Sequence, residues 1–174
     1  MKIKAMPIMF SLVSSLIILF GGWYTYQQFY VQKPVEDFIA SKQNVVLKHL
    51  EINNNQVEID VDFKDPTTYA NDYKDIYDFI HERNLGKTVT IHLPNQGDGL
   101  KKLWDQQYFG LAQALELKEY GQIPKIVEDM KKNGKLDQSV ARMDDQNIYL
   151  YMQEGKDRLY AVLPVKEEVK KNNE

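Results

Sequence analysis

The sequence predicts an α+β domain that follows a single N-terminal transmembrane helix. Three observations support this fold class. Residues 5–32 contain no charged side chain. Apolar residues alternate with polar or aromatic ones at 57–63 and 147–153, the period of a strand, and between such segments they recur at helical spacing. We therefore expect a mixed sheet of five to six strands in the order β-β-α-β-α-α-β-β-β, with helices mainly on one face.

The uncharged N-terminal segment is typical of a membrane anchor. A helix rises about 1.5 Å per residue, so roughly 20 residues cross the hydrocarbon core, and residues 6–26 meet that length. An aromatic cluster typical of the headgroup region follows, formed by Trp23, Tyr24, Tyr26, Phe29 and Tyr30. A cleaved signal peptide and a buried helix of a soluble protein remain as alternatives. No small-x-small cleavage site follows the apolar run, which favours an uncleaved anchor.

The flanking charges predict how the anchor is oriented. Lys2 and Lys4 precede it, whereas Glu36 and Asp37 follow Lys33. Because basic residues favour the cytoplasmic side, we expect a cytoplasmic N-terminus and an extracytoplasmic C-terminal domain in the cell membrane. The expected organisation is a stub and anchor (1–32), a juxtamembrane linker or short helix (33–43), an extracytoplasmic domain (44–165) and a charged flexible tail (166–174).

Composition excludes several classes of protein. The chain has 22 basic and 25 acidic residues, and without Lys2 and Lys4 the balance is 20 to 25, a net charge of −5. A nucleic-acid partner is therefore not expected, since binding needs a basic stripe. The absence of cysteine excludes disulfides, zinc-thiolate sites and thiol nucleophiles. An exported domain without disulfides fits a Gram-positive bacterial surface.

Turn residues delimit the first half of the domain. Asparagines at 53–55 separate two alternating runs and predict an antiparallel hairpin. Asp65 and Pro66 begin a helix that ends near Gly86, and a third strand at 87–93 implies a parallel crossover. This β-β-α-β order resembles that of small membrane-tethered assembly domains of secretion and sporulation machines, in element order alone.

The second half begins with two helices and ends with strands. A long helix is predicted over 99–120 with its end at Gly121, and a shorter one runs from Ile123 to Gly134. Strands follow at 139–143, 147–153 and 158–165. Both faces of the last hairpin are apolar or aromatic. We therefore expect this hairpin to be central, or to be covered on its second face by a helix or a partner.

Residues able to carry catalysis or bind a metal do not form a motif. The histidines (His49, His81 and His92) lack ligand spacing. The acidic group (Asp60, Asp62 and Asp65) lacks the glycine of a calcium loop. Ser41 and Ser139 stand in no nucleophile motif, and the loop 95–99 lacks the hydroxyl residue of a phosphate loop. We expect no catalytic residue, cofactor or metal.

The aromatic residues are the strongest functional indication. Tyr69, Tyr73 and Tyr77 share a helical face, and Tyr149, Tyr151 and Tyr160 lie on the last hairpin. Tyrosine is common at interfaces, so these six residues are a candidate interaction surface, with packing at the edge of the core as the alternative. A pocket between helices and sheet, lined by Trp104 and Tyr108, is a second candidate site.

These observations favour a binding protein over an enzyme. The first hypothesis is an accessory or assembly subunit of a bacterial envelope complex, anchored in the lipid bilayer and bound to another protein. The second is an extracytoplasmic domain that binds or senses a small ligand or peptide. The third is an enzyme of unfamiliar type, which a concave polar site joining His49 or His92 to an acidic residue would support.

Overall fold

The computed structural model describes residues 5–53, 55–83, 87–94 and 97–165. It confirms the α+β class, with six strands arranged in two three-stranded sheets. Three features predicted from the sequence lie outside the described residues: the basic N-terminal stub, the helix end at Gly86 and the tail 166–174.

The first helix extends away from the rest of the molecule. α1 (Ala5–Tyr26) continues through a π-helical stretch (Gln27–Gln32) into α2 (Lys33–Ser41), with helical backbone angles at both junctions. Every residue from Met9 to Tyr26 is exposed. By length and composition, this helix is long and apolar enough to cross a membrane.

The juxtamembrane segment is a short helix that packs into the domain. Pro34 lies in the first turn of α2, where its missing N–H is not needed for a helical hydrogen bond. Val35 and Ile39 are fully buried, and the Phe38 ring stacks on Phe79 with centroids 3.9 Å apart. The packed unit therefore begins before residue 44.

The N-terminal sheet contains the predicted hairpin and parallel strand. β1 (Val45–Ile52) pairs antiparallel with β2 (Gln56–Phe63), and β3 (Thr88–His92) pairs parallel with β2. Asn53 Oδ1 accepts the N–H groups of Asn55 and Gln56 and closes the turn. The apolar residues of β2 are buried, as its alternation predicts.

α3 (Tyr69–Arg83) connects β2 to β3 and starts later than the sequence suggests. Asp65 Oδ1 accepts hydrogen bonds from the N–H and the hydroxyl of Thr67, so Asp65 stabilises the turn that precedes the helix. Pro66 lies in that turn rather than in the helix. The buried side of α3 is formed by Tyr69, Ala70, Ile76 and Ile80.

α4 (Asp98–Glu116) and α5 (Ile123–Gly134) form the second helical part, with a 3₁₀ turn at Tyr120–Gln122 between them. α4 ends before Gly121, the glycine that the sequence suggests, whereas α5 ends at Gly134 as predicted. The left-handed residue after each helix is a lysine, Lys118 after α4 and Lys135 after α5. Gly134 also has a packing role. A Cβ there would overlap Cδ2 of Leu103 on α4, so glycine lets the two helices approach closely without a shift of that side chain.

The C-terminal sheet is antiparallel and separate from the first. It contains β4 (Gln138–Met143), β5 (Asn147–Glu154) and β6 (Asp157–Pro164) in that order. Its tyrosine face packs on the N-terminal sheet and α3, and its aliphatic face packs on α4 and α5. Two hydrophobic cores therefore share this sheet.

The expectation of one mixed sheet with helices mainly on one face is wrong. The C-terminal hairpin is apolar on both faces, and pairing at the edge of the N-terminal sheet would not by itself cover either of them. Stacking the C-terminal sheet between the N-terminal sheet and α4 with α5 buries both faces. The sequence predicted a hairpin that is central in a sheet or covered on its second face by a helix or a partner. β5 is the central strand of its sheet, and α4 and α5 cover the second face of the hairpin.

Candidate functional site

Four of the six tyrosines proposed as a surface lie inside the protein. Tyr69, Tyr149, Tyr151 and Tyr160 are each 2% exposed. The Tyr69 ring is at the centre, with centroids 5.0 Å from Tyr160 and 6.0 Å from Tyr149. This cluster joins α3 to the C-terminal sheet, which corresponds to the packing alternative for these four residues.

The hydroxyl groups of the buried tyrosines act as hydrogen-bond donors. Tyr160 donates to the carbonyl oxygen of Phe63 at 3.1 Å, and Tyr69 donates to that of Ala161 at 3.4 Å. Burial raises the pKa of Tyr160 to about 12, and it raises the pKa values of Tyr69 and Tyr149 further above 10. These phenols therefore stay neutral at physiological pH.

The remaining two tyrosines keep part of their surface accessible. Tyr73 and Tyr77 lie on α3 and are partly exposed. The Tyr77 ring stacks on His81 with centroids 5.7 Å apart. Only these two members of the candidate interaction surface could contact a partner without local unfolding.

An open cleft lies between α4 and β6, and its lining includes Trp104 of the predicted pocket but not Tyr108. We call this cleft, of about 570 Å³, the α4–β6 groove. Its α4 wall includes Asp98, Lys101, Trp104 and Asp105, and its β6 wall includes Leu159 and Ala161. Tyr108 lies one helical turn beyond Trp104, with ring centroids 6.1 Å apart, and extends the aromatic surface next to the groove.

The backbone at the start of α4 shapes one end of this groove. Gly97 has φ +108°, which strongly favours glycine, and an added Cβ would lie 2.6 Å from Cβ of Asp157. A Cβ on Gly99 would lie 3.2 Å from Oε2 of Glu154. The carboxylates of the β5–β6 hairpin thus lie close to the first turn of α4.

One exposed aromatic residue was missed by the sequence analysis. Phe109 on α4 is 83% exposed, and Tyr108 beside it is 48% exposed. We call these two exposed rings, which are neighbours in the chain, the α4 aromatic face. The sequence did contain a signal, because Phe109 falls outside the apolar stripe that passes through Leu111 and Leu115.

The structure brings two histidines and one aspartate into a row. His49 on β1 and His92 on β3 both lie opposite Asp60 on β2. The row lies on the polar side of the N-terminal sheet, where the His49 side chain is 59% exposed and His92 is also exposed. The residue types named for an enzymatic site are therefore adjacent, but they are not enclosed.

The acidic group at the end of β2 has structural partners. Asp62 pairs with Arg158 of β6 at 3.3 Å, and Asp65 accepts hydrogen bonds from Thr67. Within residues 5–53, 55–83, 87–94 and 97–165, no group of three or more His, Cys, Asp or Glu side chains is placed to hold a metal ion.

The fold and these surfaces define an α+β domain with an exposed apolar N-terminal helix, a groove and an aromatic helix face. The chain matches no family model, no curated protein and no solved structure.

Proposed function

We propose that this protein is a single-pass membrane protein whose extracytoplasmic α+β domain binds another protein in a bacterial envelope complex. The observation that carries the proposal is the exposure of α1. Its large side chains, including Phe10, Ile18 and Phe20, contact no core, although the domain behind them has complete cores of its own. Burying each such side chain in lipid gains about 1.5–3 kcal/mol, which favours insertion over exposure to water.

The continuous helix keeps the domain close to the bilayer. Tyr26 and Tyr30 stack at 5.6 Å in the aromatic cluster, and Val35 is already buried in the domain. At about 1.5 Å per residue, the five steps from Tyr30 to Val35 span about 7.5 Å. A domain held this close to the headgroups is suited to partners that are themselves in or at the membrane.

Single-cysteine labelling tests the anchor and its orientation. Because the natural chain has no cysteine, an introduced one is the only reactive thiol. We expect Lys156→Cys, in the exposed β5–β6 turn, to react with an impermeant maleimide on intact cells. Lys4→Cys, ahead of the anchor, should react only after permeabilisation. The reverse pattern, or release of the chain by carbonate, would refute the membrane part of the proposal.

The α4 aromatic face supports the protein-binding part. Phe109 is 83% exposed and neighbours the half-exposed Tyr108, and exposed apolar side chains that lie together mark interaction sites. A photoreactive amino acid at Phe109 is expected to crosslink a membrane-associated protein in cells. The same photoreactive amino acid introduced in place of Lys48, which is exposed on β1, serves as the matched control. Equal crosslinking at both positions, or none at Phe109, would contradict the proposal.

A small ligand or peptide sensor is the alternative that the α4–β6 groove favours. Its volume of about 570 Å³ falls within the roughly 300–1,000 Å³ that small-molecule sites occupy. A compound or wall fragment that raises the melting temperature of the full chain, but not of Trp104→Ala, would favour this alternative. A screen without such a compound favours protein binding.

A further inference from the structure

β6 is a terminal strand whose outer edge faces the α4–β6 groove. Within the described ranges its only strand partner is β5. The two-residue turn between Glu154 and Asp157 makes these residues a hydrogen-bonded pair, and such pairs alternate along an antiparallel ladder. The backbone groups of Arg158 and Val162 are therefore directed away from β5.

The two walls of the groove are arranged like those of a cleft that binds an extended peptide strand. One wall is the edge of β6, and the other is the first half of α4 with the Trp104 indole. An extended peptide placed between a strand edge and a helix gains main-chain hydrogen bonds from the strand and side-chain contacts from the helix. Pro164 lies at the far end of β6, and its missing N–H limits pairing there.

The charges around the groove indicate the chemistry of its occupant. The α4 wall carries two carboxylates, Asp98 and Asp105, and one cation, Lys101. Asp157 and Glu154 lie beside Gly97 and Gly99 at the same end. Lys156 of the same turn adds one cation, and Arg158 is paired with Asp62. The four carboxylates therefore outnumber Lys101 and Lys156, which favours lysine or arginine side chains and disfavours acidic segments.

We propose that an extended segment of a partner protein, carrying basic side chains, adds to β6 as a fourth strand of the C-terminal sheet. The inference rests on the proposed protein-binding function and specifies how the partner is held. Main-chain pairing to Arg158 and Val162 supplies affinity, and the carboxylates of α4 select basic sequences.

Tryptophan fluorescence can report occupancy of the groove directly. The chain has two tryptophans, so Trp23→Phe leaves Trp104 alone. The probe is a capped peptide of alternating valine and lysine, added to the full chain in nanodiscs of neutral lipid. Two matched peptides replace lysine by glutamate, or methylate the backbone nitrogens that would pair. We expect a saturable change in Trp104 emission with the lysine peptide, and at least a tenfold weaker response with the other two.

Substitutions on β6 and on α4 test main-chain pairing and charge selection separately. Val162→Pro removes an outward N–H and is expected to abolish the response. Ala141→Pro, at the equivalent outward position on β4, is the control that keeps it. Asp105→Lys should weaken the lysine peptide at least tenfold and strengthen the glutamate peptide. Because the methylated peptide tests pairing on the unaltered strand, the result does not depend on whether Val162→Pro folds.

Several outcomes would overturn strand addition. These are no response to the lysine peptide, equal responses to the methylated peptide, or a dimer that Val162→Pro converts to a monomer, which would place a second copy on β6. Crosslinking at Phe109 without any peptide response would leave the protein-binding function standing and refute only this mode.

Discussion

At the scale of single residues, Asp144 carries several contacts of the β4–β5 turn. Its carboxylate accepts the N–H groups of Gln146 and Asn147 at 2.8 and 2.7 Å and the Tyr149 hydroxyl at 2.9 Å. Lys74 of α3 lies 3.5 Å away. Burial opposes the charge, but the hydrogen bonds outweigh it and lower the pKa of Asp144 below 3.8.

Substituting Asp144 should give a stability loss that depends on pH. We expect Asp144→Ala to lower the free energy of unfolding by about 1–3 kcal/mol at neutral pH. Because the folded pKa is below the unfolded one, this contribution is complete above the unfolded value and is lost as the pH falls through the folded value. Urea denaturation in detergent at several pH values should show parent and variant converging in acid. A constant difference would contradict this explanation.

The buried tyrosine cluster allows a second test. Tyr160→Phe removes the hydroxyl that donates to Phe63 while keeping the ring, so we expect a loss of about 1 kcal/mol in unfolding free energy. Tyr77→Phe is the matched control on a partly exposed ring and should change stability little. Equal effects at the two positions would mean that the Tyr160 hydroxyl makes no specific contribution.

At the scale of elements, α2 joins the exposed apolar helix α1 to the packed domain. The exposed apolar helix α1 continues through the π-helical stretch into α2, and α2 buries Val35 and Ile39 against the N-terminal sheet and α3. A rotation of α1 would therefore move the domain with it, because the backbone is helical from Ala5 to Ser41. The π-helical turn at Gln27–Gln32 shifts the register of the helix just before this junction.

The contribution of α2 to stability can be measured by comparing a position on α2 with one in the π-helical stretch that precedes it. Ile39→Ala creates a cavity at a fully buried site and is expected to cost about 2–5 kcal/mol of unfolding free energy. Phe29→Ala, in the exposed π-helical turn, should leave domain stability nearly unchanged. If the two variants unfolded at the same urea concentration, α2 would not belong to the cooperative unit.

At the scale of the whole molecule, the C-terminal sheet contributes residues to both hydrophobic cores. Leu150 lies in the core formed with α4 and α5, and Tyr149 and Tyr151 on the same strand lie in the core formed with α3. Loss of β5 would therefore remove packing from both cores at once.

Cooperativity of this kind predicts a single unfolding transition. In the Trp23→Phe background, Trp104 emission follows one core, and near-ultraviolet tyrosine circular dichroism follows the other. We expect Leu150→Ala and Ile76→Ala, one in each core, to shift both signals together by about 2–5 kcal/mol. Two separate midpoints would show that the cores unfold independently.

Much of this architecture was determined by local sequence patterns. The alternation of Val57, Ile59, Val61 and Phe63 identified β2 and its buried face, and the uncharged run identified the exposed apolar helix. The two apolar faces of β5 predicted a covered hairpin. Each of these patterns lies within one helix or strand, and the side-chain periodicity of that element is enough to predict its type and its buried face.

Tertiary structure alone decided which faces meet. Periodicity shows that Tyr149 and Tyr160 lie on an apolar face, but it does not show whether α3 or a partner covers that face. Periodicity likewise could not show that the strands form two sheets rather than one. It also could not reveal the α4–β6 groove, because the two walls of the groove lie far apart in the chain. Contacts of this kind depend on how all elements share the burial of apolar area, which is a property of the whole chain.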